Sequence, residues 1–336
     1  MLHLKQKSRP LLYLLVIFIL LILGFNLCFA QEETGEAELA GEFFGIPVSL
    51  GNYYFAKRVV ITFGAGWRGS PRDAEELEDL VWQELLFSYE AYRRGIEVTD
   101  EEKEAEIDKI MQAEKVGFTW KEDKREYEKW VEDKIKGPIE LFENQIEHLL
   151  RIEKLRQQVL GSIEPEVTKK EAYQKFLDEY NSLGVELIQF EDSQLKEAEK
   201  LYRQARSRPE VWEEKKQGNP EAFKNLTGPY ALDFLINLWG FQREDAYKML
   251  KMKAGKFYKP SPIYKGYAVF KVVATKKADE KDFKGREEQY LEKIKNMKKY
   301  QGFKDWAEGL KEQANIKIFI KPDVEQTESE ENDNSE

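Results

Sequence analysis

The sequence predicts an α+β protein in which a mainly helical first half precedes a small mixed domain and a long final helix. Amphipathic helices with short connections follow one another up to Tyr180, and apolar residues recurring every three or four positions are typical of helices. After Gly184 the pattern changes. Residues 185–190 alternate like a strand, and residues 267–274 form a second strand-like apolar run. The two patterns together predict the α+β class.

The first 30 residues have the pattern of a secretory signal peptide. A basic start precedes an apolar run at residues 11–23, and the small residues Cys28 and Ala30 suit cleavage before Gln31. We therefore expect an exported protein of the bacterial periplasm or cell envelope. The alternative is that residues 11–27 are retained as a membrane tether.

Composition excludes several kinds of chemistry. The chain has 336 residues, a formal charge of −10, one Cys and two His. Cys28 and His3 lie in the expected leader, so the mature chain would keep only His148, which we expect on a helix surface. Disulfides, thiol nucleophiles and Cys/His metal sites are then excluded, and no cofactor is expected. The acidic balance argues against a nucleic-acid partner.

Helix starts in the first half are predicted by capping boxes, in which a hydroxyl accepts from the N3 amide and an acid reaches back to the cap. The four boxes are Ser70/Asp73, Thr99/Glu102, Thr119/Glu122 and Thr168/Glu171. A further helix is predicted over 139–160. Ahead of the first box, the aromatic and β-branched residues within 43–63, such as Tyr53 and Ile61, favour strands.

The second half is predicted from the same kind of signals. A strand at 185–190, a helix at 193–206, a helix at 242–253 and a strand at 267–274 form the small α+β domain, and the prolines and glycines from Pro209 to Pro229 favour loops between them. One amphipathic helix is predicted over 282–314 and a short strand over 316–320. The acidic residues 321–336 are typical of a disordered tail.

Three stretches resemble the exported parvulin-type foldases, the family of SurA and PrsA. The first covers 77–110 and contains the turn sequence GIEVTDEE, and the second covers 155–180. The third matches the parvulin ending G-x4-P-x5-G-Y through Gly255, Pro260, Gly266 and Tyr267, and Gly228 fits the family's central glycine-containing loop. The resemblance implies a SurA-N-like helical chaperone module at 31–165, a connecting helix at 166–183, a parvulin-like PpiC domain at 184–280 and a C-terminal helix and strand at 281–320.

The same resemblance implies where a peptidyl-prolyl isomerase site would lie. Parvulins usually carry one His on the first strand and another after the Gly-Tyr pair, and here Glu186 or a neighbour stands at the first place and Ala268 at the second. Glu186 is therefore the one catalytic candidate, with a solvated edge residue as the alternative. The substrate proline would contact residues that could equally be plain core, namely Tyr247, Met249, Leu250, Met252, Tyr267 and Ala268.

We therefore expect a folding factor that binds unfolded or prolyl-containing exported polypeptides, chiefly as a chaperone with weak or lost isomerase activity. One alternative is an active isomerase that uses an apolar pocket without histidines. Another is an envelope scaffold in which the parvulin-like domain only mediates docking.

Overall fold

The computed structural model describes residues 38–67 and 70–320, so the expected leader at 1–30 and the acidic tail at 321–336 lie outside the described residues. The described part combines helices with two antiparallel sheets, which confirms the expected α+β class. The chain divides into two compact units, residues 1–149 with 311–336, and residues 150–310.

The elements follow one another in a mixed order. They are β1 (Leu39–Phe43), β2 (Ile46–Ser49), α1 (Leu50–Trp67), α2 (Ala74–Arg93), α3 (Asp100–Glu114), α4 (Lys124–Ile135), α5 (Ile139–Ser162), α6 (Lys169–Tyr180), β3 (Ser182–Phe190), α7 (Leu195–Ser207), α8 (Glu210–Gly218), β4 (Phe223–Ala231), α9 (Leu232–Trp239), α10 (Arg243–Met249), β5 (Phe257–Ile263), β6 (Gly266–Lys276), α11 (Glu280–Lys284), α12 (Glu287–Ala314) and β7 (Lys317–Ile318). The division between the units falls within α5 and α12.

The first unit pairs a small sheet with helices. Strand β1 lies between β2 and β7 and is antiparallel to both. The strand prediction for residues 50–63 is wrong, because this stretch forms helix α1. The Ser49 hydroxyl accepts from the Asn52 amide at 3.2 Å, and Tyr53, Ala56 and Val60 are buried at helical spacing. Burial on one helical face outweighs the strand preference of these residue types.

Two of the four predicted capping boxes are confirmed. The Thr99 hydroxyl accepts from the Glu102 amide at the start of α3, and the Glu102 carboxylate accepts from the Thr99 amide. Thr168 and Glu171 form the same reciprocal pair at the start of α6.

The other two predicted boxes are wrong, because their helices begin later. Helix α2 has Asp73 rather than Ser70 as its N-cap, with the carboxylate accepting from the Glu76 amide at 2.8 Å. Helix α4 has Asp123 rather than Thr119 in the same role. A carboxylate also interacts favourably with the positive end of the helix dipole, which a hydroxyl does not.

His148 is not on the surface as expected but is buried on the inner side of α5. Its Nε2 atom lies 3.0 Å from Oε1 of the buried Glu84. Its Nδ1 atom lies 3.4 Å from the Ser88 hydroxyl. The ring is thus held by two residues of α2, one helical turn apart.

The second unit is built on a four-stranded antiparallel sheet in the order β4-β3-β6-β5. Helices α7 and α8 cover one face, and α9 and α10 cover the other. The stretch expected to form loops contains α8 and most of β4 instead, and helix α9, which follows it, was not predicted. Pro209 precedes α8, and Pro229 lies on the outer strand β4, where a missing N–H is tolerated.

The C-terminal region is close to its prediction but not identical. The single helix expected from residue 282 is divided into α11 and α12, with the break at Gly285. The short closing strand expected at 316–320 is confirmed as β7.

Candidate functional site

Three of the six positions expected to contact a substrate proline are buried in a hydrophobic core of the second unit. Met249, Leu250 and Ala268 are buried between the sheet and helices α9 and α10. Phe241 and Phe270 meet edge to face in the same cluster, with ring centroids 5.0 Å apart. Met252 packs against this cluster and is partly buried. Ala268 is therefore fully buried within this cluster.

Tyr247 is partly buried at the edge of the same core, and its hydroxyl is hydrogen-bonded within the protein. Its hydroxyl donates to Oδ1 of the buried Asp178 at 2.9 Å, and Arg243 pairs with the other oxygen at 3.0 Å. Burial raises the pKa of Tyr247, and the neighbouring Asp178 carboxylate raises it further. The contact joins α10 to α6.

Glu186 lies on the central strand β3, so the alternative of an edge residue is wrong. Its side chain is 13% exposed and pairs with Lys216 at 3.0 Å and Lys271 at 3.2 Å. It also accepts from Trp212 Nε1 at 3.1 Å. Burial alone would raise the pKa of Glu186, but hydrogen bonds from Lys216, Trp212 and Lys271 outweigh it and hold the pKa below its usual range.

The expected site residues are divided between the two faces of the sheet. Ala268 pairs with Gln189 across β6 and β3, whereas Glu186 pairs with Lys271. Neighbouring residues of a strand point to opposite faces. Tyr267 and Glu186 accordingly lie on the face of the sheet that α7 and α8 cover, whereas Ala268 lies on the face that α9 and α10 cover. The structure therefore does not bring Glu186 and Ala268 together.

The parvulin-like glycine and proline motif has a structural basis. Gly255 and Gly266 have φ values of +81° and +87°, a region that L-residues rarely adopt. A Cβ atom on Gly266 would lie 2.0 Å from the Phe190 carbonyl oxygen. Pro260 lies on the outer strand β5. Gly228 lies within strand β4, and its expected position in a loop is wrong.

One polar cluster in this domain was not predicted from the sequence. The Asp245 carboxylate accepts from the Tyr258 hydroxyl at 2.7 Å and from the Ser261 hydroxyl at 2.5 Å. Burial alone would raise the pKa of Asp245, but hydrogen bonds from Ser261, Tyr258 and Lys248 hold the pKa below its usual range. Both carboxylate oxygens are occupied, so the cluster fastens α10 to β5.

The second unit also exposes a group of large apolar side chains on and beside α9. We call this group the α9 patch, and its members are Tyr230 (37% exposed), Phe234 (39%), Leu238 (63%) and Tyr264 (68%). The Tyr230 and Phe234 rings stack with centroids 5.1 Å apart. The Tyr264 hydroxyl donates to the Asn237 carbonyl at 3.0 Å, which places the β5–β6 hairpin against the same helix.

Helix α9 is apolar on both of its sides. Leu232 and Leu235 are fully buried against the sheet, while Phe234 and Leu238, one turn apart, lie on the outer side. A helix that is hydrophobic all round is usually buried all round, whereas Phe234 and Leu238 stay exposed on α9. The run LDFLINLW carried this signal, but the surrounding prolines and glycines favoured loops.

No group of three or more His, Cys, Asp or Glu side chains is placed to hold a metal ion within 38–67 and 70–320. Within the same ranges, no helix is both long and apolar enough to cross a membrane.

No family model and no curated protein matches the chain. Among solved structures, one of two SurA-like chaperones of Campylobacter jejuni is 14% identical, with 83% of this chain and 98% of that chain covered and a TM-score of 0.36. PrsA of Bacillus cereus, a peptidyl-prolyl isomerase, is 16% identical, with 86% and 96% covered and a TM-score of 0.37. PrsA of Bacillus subtilis is 16% identical, with 85% and 96% covered and a TM-score of 0.24.

SurA-like and PrsA-like proteins are thus the class shared by these matches, and they are the class that the sequence motifs resemble.

Proposed function

We propose that this chain is a folding factor of the bacterial periplasm or cell envelope that holds unfolded or prolyl-containing exported polypeptides and does not catalyse prolyl isomerisation. The observation that carries the proposal is the α9 patch, where four large apolar side chains stay exposed next to one another. Contiguous apolar surface of this kind is typical of interaction sites. Rings and a leucine on an open surface suit many unfolded sequences, because no shaped pocket restricts them.

The buried positions around Ala268 support the absence of catalysis. Rotation about a peptide bond has a barrier of about 18–20 kcal/mol, and lowering it requires the imide to enter a site that desolvates it. Met249, Leu250 and Ala268 are covered by α9 and α10. Glu186 lies on the other face of the sheet, where three donors occupy its carboxylate.

The chaperone activity can be tested by suppression of aggregation. We expect the purified chain to suppress aggregation of a chemically unfolded client, and Phe234→Ser/Leu238→Ser to need at least about fivefold more protein for the same effect, since two side chains buried by a bound client contribute about 1 kcal/mol or more. Leu195→Ser/Met297→Ser is the matched control, because both residues are exposed apolar side chains outside the patch. If Phe234→Ser/Leu238→Ser suppresses aggregation as well as the unchanged chain does, with the same circular dichroism spectrum, the α9 patch is not the client-binding site.

The absence of isomerase activity is tested separately. We expect no acceleration of cis–trans exchange in a proline tetrapeptide, measured by exchange NMR at increasing concentrations of the chain. A rate that rises in proportion to protein concentration would show catalysis and contradict this part of the proposal.

A further inference from the structure

The segment between Asp245 and Asp279 has an unusual charge distribution for an acidic chain. Residues 246–278 contain nine lysines and no Asp or Glu, although the whole chain has a net charge of −10. Lys248 and Lys271 form ion pairs with carboxylates from other segments. The other seven lysines are exposed and have no ion pair among the described residues. Two of them, Lys276 and Lys277, end strand β6 or follow it, and we call the five that lie near or on β5 the lysine edge: Lys251, Lys253, Lys256, Lys259 and Lys265.

The lysine edge lies along the chain before, on and just after the outer strand β5. Strand β5 is an outer strand and pairs only with β6. Its seven residues span about 23 Å at roughly 3.3 Å per residue. Lys251, Lys253 and Lys256 precede the strand, Lys259 lies on it, and Lys265 lies in the hairpin that follows.

The hairpin joins the lysine edge to the α9 patch. Tyr264, the most exposed member of the patch, is the immediate neighbour of Lys265. The Tyr264 backbone amide donates to the Trp239 carbonyl at 3.3 Å, and its hydroxyl donates to the Asn237 carbonyl. The apolar surface and the row of positive charge therefore meet at one end of β5.

Protection of the sheet edge does not explain this many lysines. Lysines and prolines on an outer strand prevent it from pairing with another chain, but Pro260 and Pro262 already remove two N–H donors from β5. Four of the five lysines lie outside the strand, where no edge needs protection. The number of lysines is therefore larger than protection of β5 requires.

We infer that the preferred clients are extended segments in which an apolar or aromatic stretch is flanked by Asp and Glu residues. This inference rests on the proposed function. The apolar stretch would lie on the α9 patch and the acidic flank along the lysine edge. A row one strand wide fits an extended polypeptide better than a flat lipid surface. The prolines prevent backbone pairing with β5, so the client is selected by its side-chain charge, which also speeds encounter.

Binding of two labelled peptides by fluorescence anisotropy tests the inference. Both peptides share an aromatic core, one with Asp/Glu flanks and one with Lys flanks. We expect the acidic peptide to bind at least tenfold more tightly at 50 mM salt, with the difference shrinking at 300 mM because salt screens exposed charges. Lys253→Gln/Lys259→Gln/Lys265→Gln should remove most of the preference. The matched control is Lys196→Gln/Lys200→Gln/Lys295→Gln, three exposed lysines elsewhere in the same unit.

The possible results separate the two proposals. Equal binding of both peptides would overturn the inference and leave the chaperone proposal standing, whereas binding of neither peptide would overturn both. A third measurement uses phosphatidylglycerol vesicles. If the lysine variant loses vesicle binding but keeps its peptide preference, the lysine edge serves an anionic lipid surface and the inference is wrong.

Discussion

Glu186 neutralises two lysines that come from different elements. Lys216 belongs to α8 and Lys271 to β6, and both lie within 3.2 Å of the Glu186 carboxylate. Glu213 pairs with the same two lysines but is 50% exposed. The residue that stands where parvulins usually carry a His thus fastens α8 to the sheet, which is a structural task.

Removing the Glu186 charge should therefore lower stability. We expect Glu186→Gln to reduce the free energy of unfolding by about 1–2 kcal/mol at pH 7, because two partly buried lysines each lose a charged partner. Since the pKa of Glu186 is lowered on folding, this contribution is present above about pH 4.5 and is lost as the pH falls further. Urea unfolding at pH 7 and pH 4 measures it.

Glu213→Gln is the control for this experiment. Its carboxylate is half exposed, so we expect a loss below about 0.5 kcal/mol. Equal losses of unfolding free energy in Glu186→Gln and Glu213→Gln would mean that burial of the carboxylate does not determine the strength of its ion pairs with the two lysines.

The two motif glycines make a second prediction at this scale. Gly255 and Gly266 have similar positive φ values, but a Cβ at Gly255 meets open space while one at Gly266 meets the Phe190 carbonyl. Gly255→Ala should cost about 1 kcal/mol from backbone strain alone. Gly266→Ala should cost at least about 2 kcal/mol more, because the backbone has to move. Thermal unfolding compares them, and equal costs would contradict the register at this hairpin.

The sequence identified several of these residues as important, but it did not identify the role that each of them has. The spacing of Gly255, Pro260 and Gly266 coincides with strand β5 and its hairpin, although the sequence did not predict that strand. It could not decide whether Met249 and Ala268 line a cleft or a core. An apolar residue suits both, and the difference depends on how α9 covers the sheet.

At the scale of elements, helices were predicted where a cap and a one-sided apolar pattern agree. Helices α3 and α6 are the clear cases. Helix α1 was missed because its aromatic and β-branched residues favour strands in isolation, and α9 because it is apolar on both sides. In both cases the tertiary contacts of the buried face determine the structure.

Helix α2 offers a test of which side chain caps it. Asp73 accepts from the Glu76 amide, whereas Ser70 lies outside the helix. We expect Asp73→Ala to lower the free energy of unfolding by about 1 kcal/mol. Ser70→Ala should change it by less than about 0.3 kcal/mol. Chemical denaturation measures both, and a larger effect at Ser70 would place the start of the helix where the sequence predicted it.

At the scale of the whole molecule, the second unit has a four-stranded antiparallel sheet, and the polar groups around it serve the structure. Asp178 and Glu179 of α6 bind Tyr247, Tyr290 and Lys293 from later elements. Asp245 fastens α10 to β5. With these carboxylates occupied and the core filled, the exposed apolar and basic surfaces are what the domain offers to other molecules.

The same occupied groups determine how the chain responds to pH. Glu90, Glu179 and Asp245 have pKa values below their usual range because hydrogen bonds to arginines, lysines or hydroxyls outweigh burial, which alone would raise them. Their contribution to stability is present above about pH 4.5 and is lost as the pH falls. Tyr247 and Tyr290 have raised pKa values, caused first by burial, so their contribution is lost as the pH rises past about 10.0.

We therefore expect the thermal unfolding temperature to be nearly constant between about pH 5 and pH 9.5 and to fall on both sides, as measured by circular dichroism from pH 3 to pH 11. Tyr247→Phe separates the two sides. It removes one hydroxyl that resists ionisation but leaves Asp178 paired with Gln174 and Arg243, so the alkaline fall should become shallower while the acid fall is unchanged. An unfolding temperature that rises below pH 4.5 would mean that these carboxylates are not the paired groups on which the fold depends.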